Sequence, residues 1–143
     1  MKVIVDSNIV YSALLKSPNR FCDTILLSGD EFYTPKFMFV EIFKYKERIV
    51  RQSHLSEEEV LEMLYRLILQ LRFFDEALIS TRNFVRAFQL VKDTDRKDLV
   101  FVALAFEVEA KLRTSDLKLK KGVSSAGFDD FYEPGFTFQP PLQ

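Results

Sequence analysis

The chain opens with a short apolar run that ends in an acid and passes directly into a second apolar stretch. Residues 2–5 are β-branched at three of four positions, as expected of a buried strand, and Asp6 follows at once. Ser7 or Asn8 can cap a helix that begins at Ile9. A strand that feeds straight into a helix favours an α/β fold, in which ligands bind beyond the carboxyl ends of the strands. Asp6 is therefore expected where such a fold does its chemistry.

Strands and helices are predicted to alternate along the rest of the chain. Further strands are predicted at 31–34, 76–80 and 111–114, and helices at 9–16, 20–28, 36–52, 57–71 and 81–92. A last helix is capped by Thr94 or Asp95 and continues to residue 106. This alternation predicts a small, mostly parallel sheet covered by helices. With 143 residues the chain suits one domain, placed at 1–132. The proline-rich end predicts a poorly ordered tail at 133–143.

Composition excludes several classes of protein. The net charge is −1, which argues against a basic protein that coats nucleic acid but not against a nuclease that binds cations. Cys22 is the only cysteine, so an intramolecular disulfide or a multi-cysteine zinc site is excluded. Neither a secretory signal nor an apolar run of the roughly 18 residues that a membrane span needs is present. A cytoplasmic location away from the membrane is predicted.

Three further acids lie at the edges of apolar elements. Glu41 interrupts the apolar run 37–43, Asp98 lies in the first turn of an apolar helix, and Asp116 follows a strand as Asp6 does. Each acid also has an ordinary structural role open to it. Asp6 and Asp116 suit turns or helix caps, Glu41 suits an ion pair, and Asp98 suits the positive end of a helix dipole.

Four converging carboxylates would form a site for a divalent cation. Clustered carboxylates repel one another and raise the pKa of at least one of them, so such a cluster is costly unless a cation joins it. Mg²⁺ and Mn²⁺ prefer all-oxygen ligand sets, and such ions can activate water and stabilise a leaving oxygen in displacement at phosphorus. Other catalysts are scarce, because His54 is the only histidine and four glycines leave little room for a phosphate-binding loop.

Four motifs in this order resemble those of the PIN-domain ribonucleases, from Val3 to about Lys121. Residues 3–8 resemble the opening strand and its Asp-Thr-Asn-like element, with Ser7 in place of the usual threonine. Thr34-Pro35 followed by Glu41 resembles the proline-then-glutamate helix. The acidic turn 95–98 before Ala103-Leu104-Ala105 and the Thr-x-Asp ending at 114–116 resemble the last two motifs.

The resemblance implies a three-layer α/β/α PIN-like domain with a small central parallel sheet. It also implies Mg²⁺- or Mn²⁺-dependent cleavage of RNA. The acids that match the family's catalytic and metal-binding positions are Asp6, Glu41, Asp98 and Asp116, and its accessory polar positions are matched by Ser7, Asn8 and Thr114. Many small single-domain members are toxins of VapC-type toxin–antitoxin pairs, which form homodimers and are silenced by an antitoxin protein.

Two features depart from the family, and two other functions stay open. Ser115 replaces the usual glycine or basic residue, and the segment after Lys121 does not clearly supply the expected final strand. A phosphatase of the haloacid-dehalogenase type also places an aspartate after its first strand, but Asn8 stands where its second aspartate is usual. A catalytically silent PIN-like module that binds RNA or protein is the other alternative.

Overall fold

A computed structural model of the protein describes residues 1–15, 27–91, 98–113, 120–122, 124 and 131, apart from the side chains of residues 8 and 12–14. Its elements, in chain order, are β1 (Lys2–Val5), α1 (Ser7–Leu15), β2 (Glu31–Pro35), α2 (Phe37–Lys44), α3 (Lys46–Ser53), α4 (Glu57–Gln70), β3 (Leu71–Phe74), a short 3₁₀ helix (Glu76–Leu78), α5 (Thr81–Val91), α6 (Asp98–Glu107) and β4 (Lys111–Arg113). Most of the predicted helix 20–28, the caps Thr94 and Asp95, the strand end at Thr114 and the tail 133–143 lie outside the described residues.

The four strands form one parallel sheet in the order β3-β2-β1-β4. Helices α1, α3 and α4 pack together, α5 packs on α6, and α6 contacts β1, β2 and β4. Because crossovers between parallel strands are right-handed as a rule, the strand order is expected to put the helices that follow β1 and β2 on one face of the sheet and those that follow β3 on the other. The predicted three-layer α/β/α architecture is confirmed.

The strand order reverses next to β1. The chain moves outward from β1 to β2 and β3, then crosses back to place β4 on the other side of β1. Open α/β sheets bind ligands in the crevice at such a reversal, outside the carboxyl ends of the strands. Asp6 follows β1 at this point, and Arg113, the last residue of β4, is paired with Val5 beside it.

The core centres on β1 and α6. Val3, Ile4 and Val5 are completely buried, as expected for a strand with helices on both faces. The sequence of α6 is apolar on all sides, and its residues 101–105 are all buried. A helix with no polar face belongs in the interior. This packing holds both the start of α6 and the end of β1 in fixed positions.

The third strand lies earlier than predicted. Strand β3 occupies Leu71–Phe74 and pairs with β2, whereas the segment predicted as a strand at 76–80 contains the 3₁₀ helix. Asp75 caps that helix by accepting a hydrogen bond from the Ala77 N–H at 3.0 Å. The prediction was wrong because Leu71 continues the apolar period of α4 and no glycine or proline separates the two elements.

The predicted helix 36–52 is divided into two. Helix α2 ends at Lys44, and Tyr45 has φ −101° and ψ 10°, outside helical geometry, before α3 begins. Helix α3 ends at Ser53, and the next residue, His54, has a left-handed conformation with φ 59°. The predicted capping box before α4 is confirmed, since Ser56 and Glu59 bond to each other's backbone N–H.

Among the described residues beyond β4, Phe131 extends the sheet. Phe131 forms an isolated parallel bridge with Leu112 on the outer side of β4. This bridge lies where the family's final strand was expected. Within the part of the chain that the structure describes, no helix has the length and apolar character needed to cross a membrane.

Candidate active site

Asp6 lies at the carboxyl end of β1 and at the start of α1. Its side chain is 4% exposed, and its Oδ1 accepts a hydrogen bond from the Ile9 N–H at 3.0 Å. Its own N–H donates to the Arg113 carbonyl at 3.4 Å, which continues the pairing of β1 with β4. Asp6 is therefore the N-cap of α1, and the prediction that Ser7 or Asn8 caps this helix is wrong.

The cap role of Asp6 is compatible with binding a cation. A carboxylate has about four lone-pair sites, and the cap bond uses one of them. An acid at a helix N-terminus is also stabilised in its charged form by the helix dipole. The strand therefore delivers a buried carboxyl group to the reversal point of the sheet.

Thr34 fixes the backbone just before Asp6. Its side chain is fully buried at the end of β2, and its hydroxyl donates to the Val5 carbonyl at 3.3 Å. The bond joins the two neighbouring strands where they reach the site. Sequence reasoning noted Thr34 only as part of the Thr-Pro motif, although a polar residue at the end of a buried strand is itself a signal.

Glu41 lies in α2 and is half-buried. The hydroxyl of Tyr11, from α1, donates to Glu41 Oε2 at 3.4 Å. The predicted alternative, an ion pair with a lysine or arginine, is absent for Glu41 among the described residues. Tyr11 is a site residue that sequence reasoning missed, because no local pattern links positions 30 residues apart.

The environment of Tyr11 opposes its ionisation. Burial, followed by the charge of Glu41 and their hydrogen bond, raises the pKa of Tyr11 from 10.0 to about 12. The phenol therefore stays protonated at neutral pH and acts as a hydrogen-bond donor.

Asp98 begins α6 and is half-buried. One turn later, the Phe101 ring meets the Phe37 ring of α2 edge to face, with centroids 5.7 Å apart. Glu41 lies four residues after Phe37 and Asp98 three residues before Phe101, so each acid shares a helix face with one of these rings. The ring contact thus joins the two helices that carry these acids.

The structure places these three acids around one edge of the sheet without gathering them into one cluster. The described residues contain no group of three or more His, Cys, Asp or Glu side chains placed to share a metal ion. Asp116, Thr114 and the side chain of Asn8 lie outside the described residues, whereas Ser7 is described and half-buried in the first turn of α1.

The chemistry of the described donors fits a hard divalent cation. Asp6, Glu41 and Asp98 offer carboxylate oxygens, and oxygen-only ligand sets select Mg²⁺ or Mn²⁺ over softer metals. The single histidine, His54, is exposed at the end of α3, where it follows Ser53. A zinc-type or histidine-based site is therefore not supported at this edge.

Known proteins share the fold of this chain. A family model described as PIN domain matches residues 4–133. The solved structure of VapBC2 from Rickettsia felis, bound to a DNA fragment from their promoter, is similar with a TM-score of 0.64 and 16% sequence identity. The match covers 85% of this chain and 92% of that chain. No curated protein matches the chain.

Proposed function

The chain belongs to the PIN-domain family, and from this premise we propose that it is a divalent-metal-dependent endoribonuclease that hydrolyses RNA phosphodiester bonds. The observation that supports the proposal best is the position of Asp6. It is a buried carboxylate at the reversal point of a parallel sheet, where α/β folds bind their ligands. The matching acids Glu41 and Asp98 belong to helices that meet beside this edge.

We propose Mg²⁺ or Mn²⁺ as the cofactor. Its ligands would be the four acids Asp6, Glu41, Asp98 and Asp116. When bound, such an ion supplies an activated water and neutralises charge that develops at the phosphate. Asp6 contributes a charge whose place is fixed by the α1 cap and the β4 pairing. Ser7, Asn8 and Thr114 are the proposed accessory residues that position the acids.

Basic side chains near the site are proposed to guide the RNA backbone. Arg48 and Arg51 are exposed on α3, and Lys44 is exposed at the end of α2, where its ammonium lies 5.5 Å from the centre of the Tyr45 ring. Lys46, by contrast, forms an ion pair with Glu57 at 3.3 Å, so part of its charge is already used within the protein. Lys and Arg side chains that contact phosphates supply affinity without sequence preference.

The proposed biological role is that of a toxin silenced by an antitoxin protein. The support is the family membership and the shared fold with a VapBC2 structure. A homodimer and a cytoplasmic location are proposed on the same grounds. Light scattering on the purified chain, alone and with the product of an adjacent small gene, tests both the dimer and the partner.

The test of the nuclease proposal is cleavage of single-stranded and structured RNA by the purified protein with Mg²⁺ or Mn²⁺. EDTA, D6N and D98N are each expected to abolish cleavage, because they remove the ion or one charged ligand. E58Q removes an exposed acid on α4 that is not among the proposed ligands, and it should cleave like the wild type. Equal cleavage by D6N, D98N and the wild type would show that the activity comes from a contaminant.

A silent binding module is the second candidate function. It is favoured by one observation: the described acids do not form a group that could share a metal ion. Calorimetric titration with Mn²⁺ separates the two candidates. Absence of binding at millimolar Mn²⁺, together with retained RNA binding, would replace the nuclease proposal with the silent module.

A further inference from the structure

Helix α1 makes a hydrogen bond to each of two candidate acids, Asp6 and Glu41. Helix α1 begins at the Asp6 cap, and its Tyr11 donates to Glu41 Oε2 at 3.4 Å. Glu41 Oε1 makes no hydrogen bond among the described residues, so the contact with Tyr11 leaves one oxygen able to face an ion. Helix α1 therefore touches Asp6 at its start and Glu41 from its second turn.

Helix α1 has a fixed length between these two points. Five residues of α-helix advance by about 7.5 Å along the axis. The first turn is held by two bonds, from the Ile9 N–H to Asp6 Oδ1 and from the Val10 N–H to the Asp6 carbonyl at 3.2 Å. The start of the helix therefore sets the position of the Tyr11 backbone relative to Asp6.

The ring of Tyr11 is also fixed from the side. Its edge-to-face contact with Tyr45 has a centroid distance of 6.3 Å and an interplanar angle of 84°. Aromatic pairs in this geometry stabilise each other beyond the area that they bury. Tyr45 directly follows α2, the helix that carries Glu41. The hydroxyl of Tyr11 is thus held near Glu41 by contacts that do not involve the carboxylate.

We propose that Tyr11 is a positioning residue that orients the Glu41 carboxylate for binding the divalent ion. The inference rests on the metal site of the proposed function. A glutamate side chain has several rotatable bonds, and fixing it on ion binding costs conformational entropy. A hydrogen bond that already restricts the carboxylate lowers this cost. Groups that orient metal ligands in this way are typically important for metal affinity.

Calorimetric titration of the full chain with Mn²⁺ tests the inference without relying on activity. Y11F keeps the ring and removes only the hydroxyl, and it is expected to weaken Mn²⁺ binding by about tenfold, the lower end of the range for such groups. Y45F is the matched control. It changes the neighbouring ring, which has no hydrogen bond to Glu41 among the described residues, and should bind Mn²⁺ as the wild type does.

A double-mutant cycle separates orientation of Glu41 from a general structural effect. In an E41Q background the Y11F change should have no further effect on Mn²⁺ affinity, because the ligand that Tyr11 acts on is already altered. An equal loss in both backgrounds would show a structural role and overturn the inference. Unchanged binding by Y11F would overturn it as well.

Two further outcomes distinguish failure of the proposed metal site from failure of the Tyr11 role alone. If the wild type binds no Mn²⁺, or if E41Q binds it as tightly as the wild type, Glu41 is not a metal ligand. Either result overturns that part of the proposed site and this inference together. Wild-type binding that weakens in E41Q but not in Y11F overturns the role of Tyr11 alone.

Discussion

At the level of single residues, Asp6 has a structural role and a proposed chemical role, and two substitutions separate them. As the N-cap it accepts a hydrogen bond from Ile9, and as a carboxylate it provides charge. Asn caps helices about as well as Asp, whereas Ala loses about 1 kcal/mol. We expect D6A to lower the free energy of unfolding by about that amount and D6N to leave it nearly unchanged. Urea denaturation of both variants measures the difference.

D6A and D6N are expected to differ in stability but not in activity. Both variants remove the charge, so neither should cleave RNA in the presence of Mn²⁺. If D98N is inactive but D6N is as stable and as active as the wild type, the charge of Asp6 is not needed for cleavage and its role is the cap alone.

The raised pKa of Tyr11 predicts that the stability of the folded chain decreases at alkaline pH. Its pKa is raised to about 12 in the folded chain by burial and by Glu41, from an ordinary value of 10.0. The protonated phenol is therefore favoured by folding. Its contribution to stability is complete below the ordinary pKa and is lost as the pH rises through the folded value.

The measurement is urea unfolding of the wild type and Y11F across this range. The stability advantage of the wild type over Y11F should shrink as the pH rises from below 10 towards 12. Other tyrosines ionise in both proteins and cancel in the comparison. A gap that stays constant with pH would show that Tyr11 is not protonated preferentially in the fold.

Sequence could predict the place of Asp6 but not its bonding. Asp6, Ser7 and Asn8 are three successive residues that can all cap a helix, so local preference does not choose between them. The choice depends on where β1 stops, which pairing with Arg113 decides. The contact between Tyr11 and Glu41 joins two helices, and no single-sequence pattern reports it.

At the level of elements, α4 offers the clearest start signal in the chain. The Ser56 hydroxyl accepts from the Glu59 N–H at 3.1 Å, and Glu59 accepts from the Ser56 N–H in return. We expect S56A to cost about 1 kcal/mol and S56T to cost much less, because threonine retains the accepting oxygen. Thermal unfolding of the two variants checks this order. Equal loss in both would mean that the box is not what starts the helix.

Elements were predictable where a local signal marks their ends. The Ser56 box marks a helix start that the sequence also showed. The end of α4 has no such mark, and the chain turns from helix to strand between Gln70 and Leu71. Pairing of β3 with β2 decides this boundary, since tertiary contacts override weak local preference.

At the level of the whole molecule, the proposed ion should stabilise the fold. A ligand that binds only the folded chain adds about 2.7 kcal/mol when its concentration is 100 times its dissociation constant. We expect Mn²⁺ to raise the unfolding temperature of the wild type and to have little effect on D6N. Calorimetric unfolding with and without Mn²⁺ measures this. The same increase in both proteins would place the ion elsewhere.

The strand order also determines when the site can exist. Val3 pairs with Lys111, so β1 stays without one of its two neighbours until β4 has been synthesised. Chains emerge from the N-terminus, and pairings between distant residues form late. A nascent chain that ends before Lys111 should therefore cleave no RNA, which arrested ribosome complexes can measure. The proposed nuclease therefore cannot cleave the transcript that encodes it before β4 has been synthesised.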